Sequence, residues 1–409
     1  MDKEIMSKLS SLTTIENKTI LVRVDLNVPV DDDGNITDNT RLIETLPTIK
    51  YLQEKGGKII LISHFGRPKP IYDNNGDVID DELYQKETNN PKNINMFQNI
   101  IMAYLDNNII VKKINKCIGD EVIDEINNME QKDIILLENV RYYVGETENN
   151  PLFSENLSKG IDIFVMDAFG TSHRKHSSTY GVKDYVNINV MGLLMEKEIK
   201  YLDLIMESSD KKITAIIGGS KVSSKFDVLS SMIKRCNKII IGGGMANTFL
   251  KARGYDVGIS LVEDDLLDKV KLLEEEANKI GVELLLPIDL VTANEFSHNA
   301  LVRIIDIGEK CSGMMILDVG SNSINKFKEH LQSSDIIVWN GPLGVFEIDI
   351  FANGTKKIAS LLSQLAETKT VIAGGGDSIA AINKYELADK FTHISTGGGA
   401  MLEYLEGKI

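Results

Sequence analysis

The chain has 409 residues, of which 43% are apolar and 26% charged, a balance typical of globular proteins and a length that favours two domains. Its formal net charge of −15 argues against nucleic acid or an anionic membrane as the main partner. The sequence has no apolar run near the roughly 18 residues that span a bilayer, and its acidic N-terminus is unlike a signal peptide, so we expect a cytoplasmic protein.

Basic and polar side chains follow four strand-like runs in the N-terminal half. The runs are TILVRVDLN, KIILISHFGRP, DIILLENVRYY and IDIFVMDAFGTSHRK, and the side chains at their ends are Asp25, Asn27, His64, Arg67, Arg141 and Arg174. Open α/β sheets bind ligands outside the carboxyl ends of their strands. A lone arginine there is usually a solvated surface charge. The shared position of this group instead favours a site for a small, strongly anionic molecule.

Three further segments have distinct patterns. A helix is predicted from Arg41 onward, because the apolar residues of RLIETLPTIKYLQE recur near period 3.6. Residues 70–95 are polar and aperiodic, which predicts a surface loop or insertion without catalytic chemistry. Residues 191–208 have one apolar helical face. This helix could cover a sheet, but its place between the two halves favours an interdomain spine.

Five apolar runs in the C-terminal half end in glycine clusters: TAIIGGSK, IIIGGGMAN, IIVWNGPLG, VIAGGGDS and HISTGGGA. Glycine lets the backbone approach a ligand closely. A helix N-terminus after such a loop directs unpaired N–H groups at an anion. A single cluster could serve tight packing alone, whereas five in one context indicate a nucleotide- or phosphate-binding half.

Two features define the class of fold and the state of the thiols. Apolar β-branched runs alternate with helical stretches along the whole chain, which predicts mainly parallel sheets covered by helices. The three cysteines, Cys117, Cys236 and Cys311, are far apart and lack metal-ligand spacing. We therefore expect reduced thiols packed in the fold of an intracellular protein.

The common nucleotide-binding motifs are missing from the sequence. It has no G-x-x-x-x-G-K-[ST], GGGMAN lacks the last glycine of G-x-G-x-x-G, and H-R-D and D-F-G are absent. The candidate nucleotide ligands are instead Lys221, Lys225, Asn340, Glu347 and Asp377. A carboxylate beside phosphates suits Mg²⁺. Asp377 would also suit a helix N-cap, and the lysine pair would also suit a helix surface.

A series of motifs identifies the chain as similar to a known family. They are VRVDLNVP, ITDNTR, SHFGRP, LLENVR, DAFGTSHR, LMEKE, GGSKVSSK, GGGMANTFL, WNGPLGVFE, GGGDS and STGGGAMLEYLEG. In this order and approximate spacing they resemble phosphoglycerate kinases, from about residue 18 to the C-terminus. The resemblance implies reversible transfer of the acyl phosphate of 1,3-bisphosphoglycerate to Mg-ADP, giving 3-phosphoglycerate and ATP in glycolysis or gluconeogenesis.

The resemblance also implies roles for individual residues. The positions that match the family's phosphoglycerate-binding residues are Asp25, Asn27, Arg41, His64, Arg67, Arg141 and Arg174. The positions assigned to the nucleotide site are Gly219, Lys221, Lys225, Gly243, Asn340, Glu347, Gly375, Gly376, Asp377 and Ser378, with Asp377 on Mg²⁺. Arg41 and Lys221 match the two catalytic cations that reach and stabilise the group in flight.

The implied architecture is two Rossmann-like α/β lobes, with mainly parallel sheets flanked by helices, joined by an interdomain helix. We assign residues 1–185 to the phosphoglycerate-binding lobe, 186–206 to the helix region and 207–396 to the nucleotide-binding lobe, with the tail 397–409 returning to the first lobe. Lobe closure would bring Arg41 and Lys221 to the moving phosphoryl group and exclude water. The family also implies a monomer.

Some positions depart from the family pattern, and rival functions stay open. Ser321 stands where proline is usual, Ser224 where aspartate is common, and Met401 where a small polar residue is expected. These departures put loop geometry and nucleotide affinity in doubt, but not the reaction. The rivals are a two-lobed dehydrogenase, a different small-molecule kinase, and a non-catalytic ligand-binding protein on the same fold. The missing dinucleotide fingerprint argues against the dehydrogenase.

Overall fold

The computed structural model describes residues 6–31, 35–89, 111–208 and 210–408. The chain divides into two compact units, Met1–Ile199 and Lys200–Ile409. The finer division that the sequence predicts, with a helix region at 186–206 and a tail that returns to the first lobe, stays a prediction.

Strands and helices alternate along the first unit. Within the described residues its strands and α-helices, in chain order, are β1 Ser7–Lys8, β2 Thr19–Arg23, α1 Thr40–Glu54, β3 Lys58–Ile62, α2 Asp81–Thr88, β4 Val111–Lys113, α3 Asp120–Asn127, β5 Ile134–Leu136, α4 Val144–Glu148, α5 Pro151–Ser158, β6 Ile163–Met166 and β7 Ile188–Met191. The predicted helix from Arg41 is α1, in which Arg41 is the second residue.

The described strands of the first unit form one sheet in the order β1-β7-β6-β2-β3-β5-β4, and their pairings are parallel. Ile20 and Leu61 share an apolar cluster with Ile49 of α1. Leu21 and Ile60, the next residues along β2 and β3, instead line a small cavity with side chains of α3 and α5. Both faces of the sheet are therefore covered, which explains why its strands are apolar without alternation.

The division between the two units falls within α6, Leu193–Met206, so the second unit begins with the second half of this helix. The elements after α6 are β8 Ile213–Ile217, α7 Phe226–Ile233, β9 Lys238–Ile241, α8 Gly244–Ala252, α9 Leu267–Lys279, β10 Glu283–Leu285, β11 Asp289–Ala293, β12 Val302–Asp306, β13 Met315–Val319, α10 Ser321–Gln332, β14 Ile336–Asn340, α11 Asn353–Leu365, β15 Thr370–Ala373, α12 Gly376–Lys384, β16 His393–Ile394 and α13 Gly399–Leu405.

Six strands of the second unit form a parallel sheet in the order β10-β9-β8-β14-β15-β16. Trp339 of β14 is fully buried in a cluster with Phe327 of α10 and Ile358 of α11. In this unit the tail helix α13 packs against α7, where Ser231 Oγ donates 2.6 Å to the Leu405 carbonyl. The prediction of an α/β protein with mainly parallel sheets is confirmed.

A small antiparallel sheet in the second unit was not predicted from the sequence. Its strands lie in the order β12-β11-β13, and both pairings are antiparallel. On the edge strand β12, Val302 and Ile304 are exposed while Ile305 is buried. Because apolar side chains of β12 lie on the solvent side, its pattern does not show the alternation that marks a half-buried strand.

Residues 70–95 were predicted to be a surface loop or insertion, and within the described part, 70–89, the loop is wrong at Asp81–Thr88, which is helical. Residues 81–88 form α2, and the Asp80 carboxylate accepts a hydrogen bond of 2.9 Å from Leu83 N as its N-cap. Ile71 and Tyr72 are buried, and the Tyr72 ring stacks on Tyr143 with 4.9 Å between centroids. This stretch is thus anchored to the first unit, and residues 90–95 lie outside the described residues.

Two predictions on the class of protein can be compared with the structure. The three cysteines are free and buried, as expected. Among the described helices, none is long and apolar enough to cross a membrane.

Candidate functional site

Four neighbouring strands of the first sheet end at the candidate anion site. The strands β6, β2, β3 and β5 are adjacent and parallel, so their carboxyl ends share one edge. The loops beyond these ends, together with the start of α1, carry Asp25, Asn27, Arg41, His64, Arg67, Arg141 and Arg174. The structure brings this predicted set together within the first unit.

Arg41 reaches from α1 to the loop after β2. Its Nη1 lies 3.2 Å from the Asp25 carboxylate and donates to the Asn27 carbonyl at 2.9 Å. The Asp25 side chain is buried, whereas that of Arg41 is 34% exposed, so Arg41 is anchored but still accessible to a ligand. The Asn27 side chain in turn accepts a hydrogen bond of 2.8 Å from Gly66 N, which joins the loops after β2 and β3.

Asn139, which the sequence did not assign to the site, joins the loops after β3 and β5. Its Oδ1 accepts hydrogen bonds of 3.1 Å from both Phe65 N and Arg141 N, and its Nδ2 donates to the Phe65 carbonyl at 2.8 Å. Asn139 is 2% exposed, so these bonds form away from water. They hold Arg141 and the His64-Phe65 loop in a fixed relation.

Two buried residues of opposite charge, joined through a serine hydroxyl, lie beneath this edge. Arg23 and Glu146 are both buried, and each contacts Ser178: Arg23 Nε donates to Ser178 Oγ at 2.9 Å, and Ser178 Oγ donates to Glu146 Oε1 at 2.7 Å. Burial lowers the pKa of the Arg23 guanidinium and raises the pKa of the Glu146 carboxyl, and each charge opposes the shift of the other. This pair was also missed from the sequence.

At the first edge, several cations surround the neutral His64. Burial, and then the charges of Arg23, Arg141, Arg174 and Arg41, lower the pKa of His64 to about 2. Burial also lowers the pKa of Arg141, opposed by Glu146. The Arg141 Nε is buried without a hydrogen-bond partner among the described residues, and Arg67 is exposed. Guanidinium groups so placed are suited to phosphate and carboxylate oxygens.

The five glycine clusters of the second unit also meet at one edge of a sheet. They follow the neighbouring strands β9, β8, β14, β15 and β16. The loops after β8 and β14 pack backbone to backbone: a Cβ on Gly218 would lie 1.9 Å from the Pro342 carbonyl oxygen. Gly341, at φ +104, would place a Cβ 2.0 Å from the Gly218 carbonyl oxygen. Only glycine fits at these two positions, so the clusters bring bare backbone together.

The ammonium of Lys225 lies inside this edge. It donates to the Gly218 carbonyl at 2.6 Å, the Asn340 carbonyl at 3.0 Å and the Asn340 side-chain oxygen at 2.6 Å. Burial lowers the pKa of Lys225 to about 8, opposed by Asp377. Asn340 Nδ2 is buried without a partner among the described residues and lies beside Gly375. This amide is therefore a free donor next to the predicted phosphate loop.

Lys221 is exposed at the end of its glycine loop, as a ligand-facing cation should be. The next turn is held by Glu263, which was not predicted to contribute. One Glu263 oxygen accepts from Ser223 N at 2.9 Å and the other accepts from Ser223 Oγ. Ser224, the residue that departs from the family pattern, donates through Oγ to the Lys221 carbonyl at 2.8 Å.

The loop after β15 holds the predicted metal ligand. Gly375 is the N-cap of α12 and Asp377 lies in its first turn, so the alternative role of Asp377 as an N-cap is wrong. Ser378 is buried and accepts a hydrogen bond of 2.6 Å from Gly341 N, which joins the loops after β14 and β15. Glu347 lies exposed in the loop after β14.

The donor set around Asp377 fits Mg²⁺ that is bound mainly by phosphate oxygens. The described residues contain no group of three or more His, Cys, Asp or Glu side chains that could hold a metal by themselves. Mg²⁺ commonly takes one or two carboxylates and completes its shell with phosphate oxygens and water. A single carboxylate beside a glycine loop meets that requirement.

Comparisons with known proteins all give the same family, over nearly the whole chain. The sequence model of the family described as phosphoglycerate kinase matches residues 10–408. A phosphoglycerate kinase of Prochlorococcus marinus (strain MIT 9515) is 48% identical over 412 residues, covering 98% of this chain and 97% of the relative, and one of Gloeothece citriformis is 46% identical, covering 100% and 98%. The solved phosphoglycerate kinase of Coxiella burnetii superposes with a TM-score of 0.85 at 36% identity, covering 99% and 97% of the two chains. That of Pyrococcus horikoshii OT3 gives 0.77 at 32% identity, covering 99% and 96%.

Proposed function

This chain belongs to the phosphoglycerate kinase family, and we propose that it reversibly transfers the acyl phosphate of 1,3-bisphosphoglycerate to Mg-ADP, giving 3-phosphoglycerate and ATP. One observation carries the proposal: a single chain has one sheet edge lined with arginines and another built from glycine loops. The first suits a small polyanion and the second suits a nucleotide.

Each proposed residue role follows from the charge of the reacting groups. The attacking or leaving group is a carboxylate that is ionised at neutral pH, so the reaction needs no general base. It needs in-line positioning and positive charge around the oxygens of the moving phosphoryl group. Arg41 is accessible and fixed by Asp25, and Lys221 is exposed beside Gly219, so we assign these two cations to that charge.

The remaining residues bind the two substrates. Arg67, Arg141 and Arg174 would bind the charged ends of phosphoglycerate, and Asp25 and Asn27 would orient Arg41 and the neighbouring loop. On the nucleotide side, the glycine loops and Asn340 would bind phosphates, and Asp377 would hold Mg²⁺, which supplies positive charge to the phosphate chain. We also propose that the protein is cytoplasmic and acts as a monomer. Sedimentation equilibrium would test the monomeric state.

The first experiment measures ADP release from Mg-ATP with and without 3-phosphoglycerate. We expect turnover only with 3-phosphoglycerate, and we expect Arg41→Ala and Lys221→Ala each to lower kcat by about 10² or more, the scale of losing one electrostatic stabiliser. Lys271→Ala is the matched control, because Lys271 is an exposed lysine of α9 that pairs with Asp268 of the same helix. Near-normal kcat in both test variants would contradict the assignment. Tight binding of both substrates without turnover would favour the rival, a binding protein on this fold.

A further inference from the structure

Arg23 donates a hydrogen bond to one nitrogen of His64. Arg23 Nη2 lies 3.1 Å from His64 Nδ1, and both side chains are buried, with exposed fractions of 1% and 3%. A guanidinium has only donors and does not lose its proton in proteins. The His64 Nδ1 must therefore be the acceptor in this bond, without a hydrogen of its own.

The rest of the Arg23 guanidinium is fixed by the protein interior. Its Nε donates to Ser178, its Nη1 donates to the Val24 carbonyl, and Ser178 also contacts Glu146 through both its backbone N and its Oγ. These contacts leave Arg23 no freedom to turn toward a ligand. A buried arginine that is satisfied in this way acts on the site through the residue that it contacts.

We propose that Arg23 is a positioning residue that fixes His64 as the neutral Nε2–H tautomer, so that His64 offers one directed hydrogen-bond donor to the anionic substrate. The inference rests on the proposed function, because it takes His64 to be a phosphoglycerate ligand. The neighbouring arginines supply the positive charge of the site, and His64 supplies direction. Its Nε2 has no hydrogen-bond partner among the described residues, which leaves this nitrogen to the ligand.

The groups around His64 keep the ring neutral. The charges that lower its pKa most are those of Arg23 from β2, Arg141 from the loop after β5, Arg174 from the loop after β6 and Arg41 from α1. All four are cations, so protonating the ring would add a fifth positive charge in a buried place. The strength of the His64 hydrogen bond to substrate should therefore not depend on pH between about 5 and 8, where an ordinary histidine titrates.

The direct test is ¹⁵N NMR of the histidine rings in the full-length protein without substrate. His64 is one of six histidines and is assigned by comparison with His64→Gln. We expect an unprotonated, pyridine-type Nδ1 and a protonated Nε2 across about pH 5 to 8. A protonated Nδ1, a mixture of tautomers, or an imidazolium at neutral pH would overturn the proposal. This readout needs no substrate, so it can fail while the kinase assay succeeds, and the reverse.

A second test compares two variants that differ only at Arg23. Glu146→Gln retains the Arg23–His64 bond, whereas Arg23→Met/Glu146→Gln removes it and leaves neither buried charge unpaired. We expect the single variant to keep the Nε2–H tautomer. In the double variant we expect mixed tautomers, a KM for 3-phosphoglycerate raised about tenfold and dependent on pH, and a nearly unchanged kcat at saturation. Equal tautomers and equal pH profiles in the two variants would refute the role of Arg23.

Discussion

At the scale of single residues, Lys225 combines two functions that the sequence could not separate. Its position after a glycine loop predicted a nucleotide ligand, yet its ammonium contacts three protein oxygens, two of them on Asn340. Since the Asn340 side-chain oxygen is bound by Lys225, its amide hydrogens are directed elsewhere, beside Gly375. We infer that Lys225 affects the nucleotide in part by orienting Asn340.

This coupling predicts non-additive effects on nucleotide binding. We expect Lys225→Met and Asn340→Ala each to weaken Mg-ADP binding about tenfold, because a buried hydrogen bond to a charged group is lost. Because the two residues share one contact, the double variant should have a Kd for Mg-ADP only slightly higher than that of the weaker-binding single variant. Titration calorimetry with Mg-ADP measures all four proteins. Full additivity would show that the two residues bind the nucleotide independently.

The lowered pKa of His176, a histidine at the first sheet edge, predicts how the stability of the protein depends on pH. Burial, Arg141, Arg174 and Arg23 lower the pKa of His176 to about 4, although Glu146 Oε1 lies 3.7 Å from its Nδ1. The unfolded chain takes up this proton near pH 6.5 and the folded protein only near 4, so protonation favours unfolding in that window. Stability conferred by neutral His176 is therefore present above about pH 6.5 and lost as pH falls toward 4.

The measurement is urea unfolding of the wild type and of His176→Gln at several pH values. The wild-type advantage in free energy of unfolding should shrink on acidification by up to about 1.4 kcal/mol per pH unit. The comparison with His176→Gln is needed because burial raises the pKa values of Asp167 and Asp318 to about 7, which stabilises the fold as pH falls. A difference that is constant from about pH 7 to 4 would contradict the prediction.

The sequence predicted the residues that line the two edges better than those that support them. Strand ends and glycine clusters are local patterns, so Arg141 or Lys221 can be found from a few neighbouring letters. The supporting contacts join distant parts of the chain: Arg23 and His64 are 41 residues apart, and Ser223 and Glu263 are 40 apart. No periodicity links such pairs, and only the folded sheet order brings them together.

At the scale of elements, the turn after Lys221 is held from outside by Glu263. The turn lies between β8 and α7, and both Glu263 oxygens accept hydrogen bonds from Ser223. Glu263 N itself donates to Thr248 Oγ1 of α8 at 3.2 Å. Glu263 therefore links the turn after Lys221 to α8, the helix that begins in the GGGMAN cluster. Burial acts to raise the pKa of the Glu263 carboxyl, but the hydrogen bonds from Ser223 outweigh it and lower the pKa, which favours the ionised form that accepts both bonds.

We expect Glu263→Gln to lower kcat about three- to tenfold, with little change in the KM for 3-phosphoglycerate. The neutral amide keeps one acceptor oxygen and loses the second charge-assisted bond, so the Lys221 loop would move more. Glu274→Gln is the matched control, since Glu274 pairs with Arg253 elsewhere in the second unit. The measurement is the kcat and the KM for 3-phosphoglycerate of the two variants from steady-state kinetics. An equal effect of both would assign the loss to charge alone.

Element prediction succeeded where a buried face left a periodic pattern. Helix α1 buries Leu42, Ile49 and Leu52, and its apolar spacing was readable from the sequence. Helix α2 has no buried residue, so it has no apolar face to recognise, and its one signal was the Asp80 N-cap. The antiparallel sheet was missed for a related reason, because β12 exposes Val302 and Ile304.

At the scale of the whole molecule, each substrate has its proposed residues within one unit. The arginine-lined edge belongs to Met1–Ile199, and the glycine loops belong to Lys200–Ile409. Each unit has its own buried apolar clusters, so a ligand bound to one unit should stabilise the local structure of that unit first. Amide hydrogen exchange, which resolves such local opening, can therefore locate each substrate separately.

We expect 3-phosphoglycerate alone to slow exchange in the loops after β2, β3, β5 and β6, and Mg-ADP alone to slow exchange in the loops after β8, β9, β14 and β15. A ligand at about 100 times its Kd adds roughly 2.7 kcal/mol to the free energy of opening of the segment that it binds, which mass spectrometry of peptides resolves. Peptides from β12 serve as the internal control, because that edge strand carries no proposed ligand. If Mg-ADP alone protected the arginine-lined edge, or 3-phosphoglycerate alone the glycine loops, the assignment of one substrate to each unit would be wrong, even if the kinase assay succeeded.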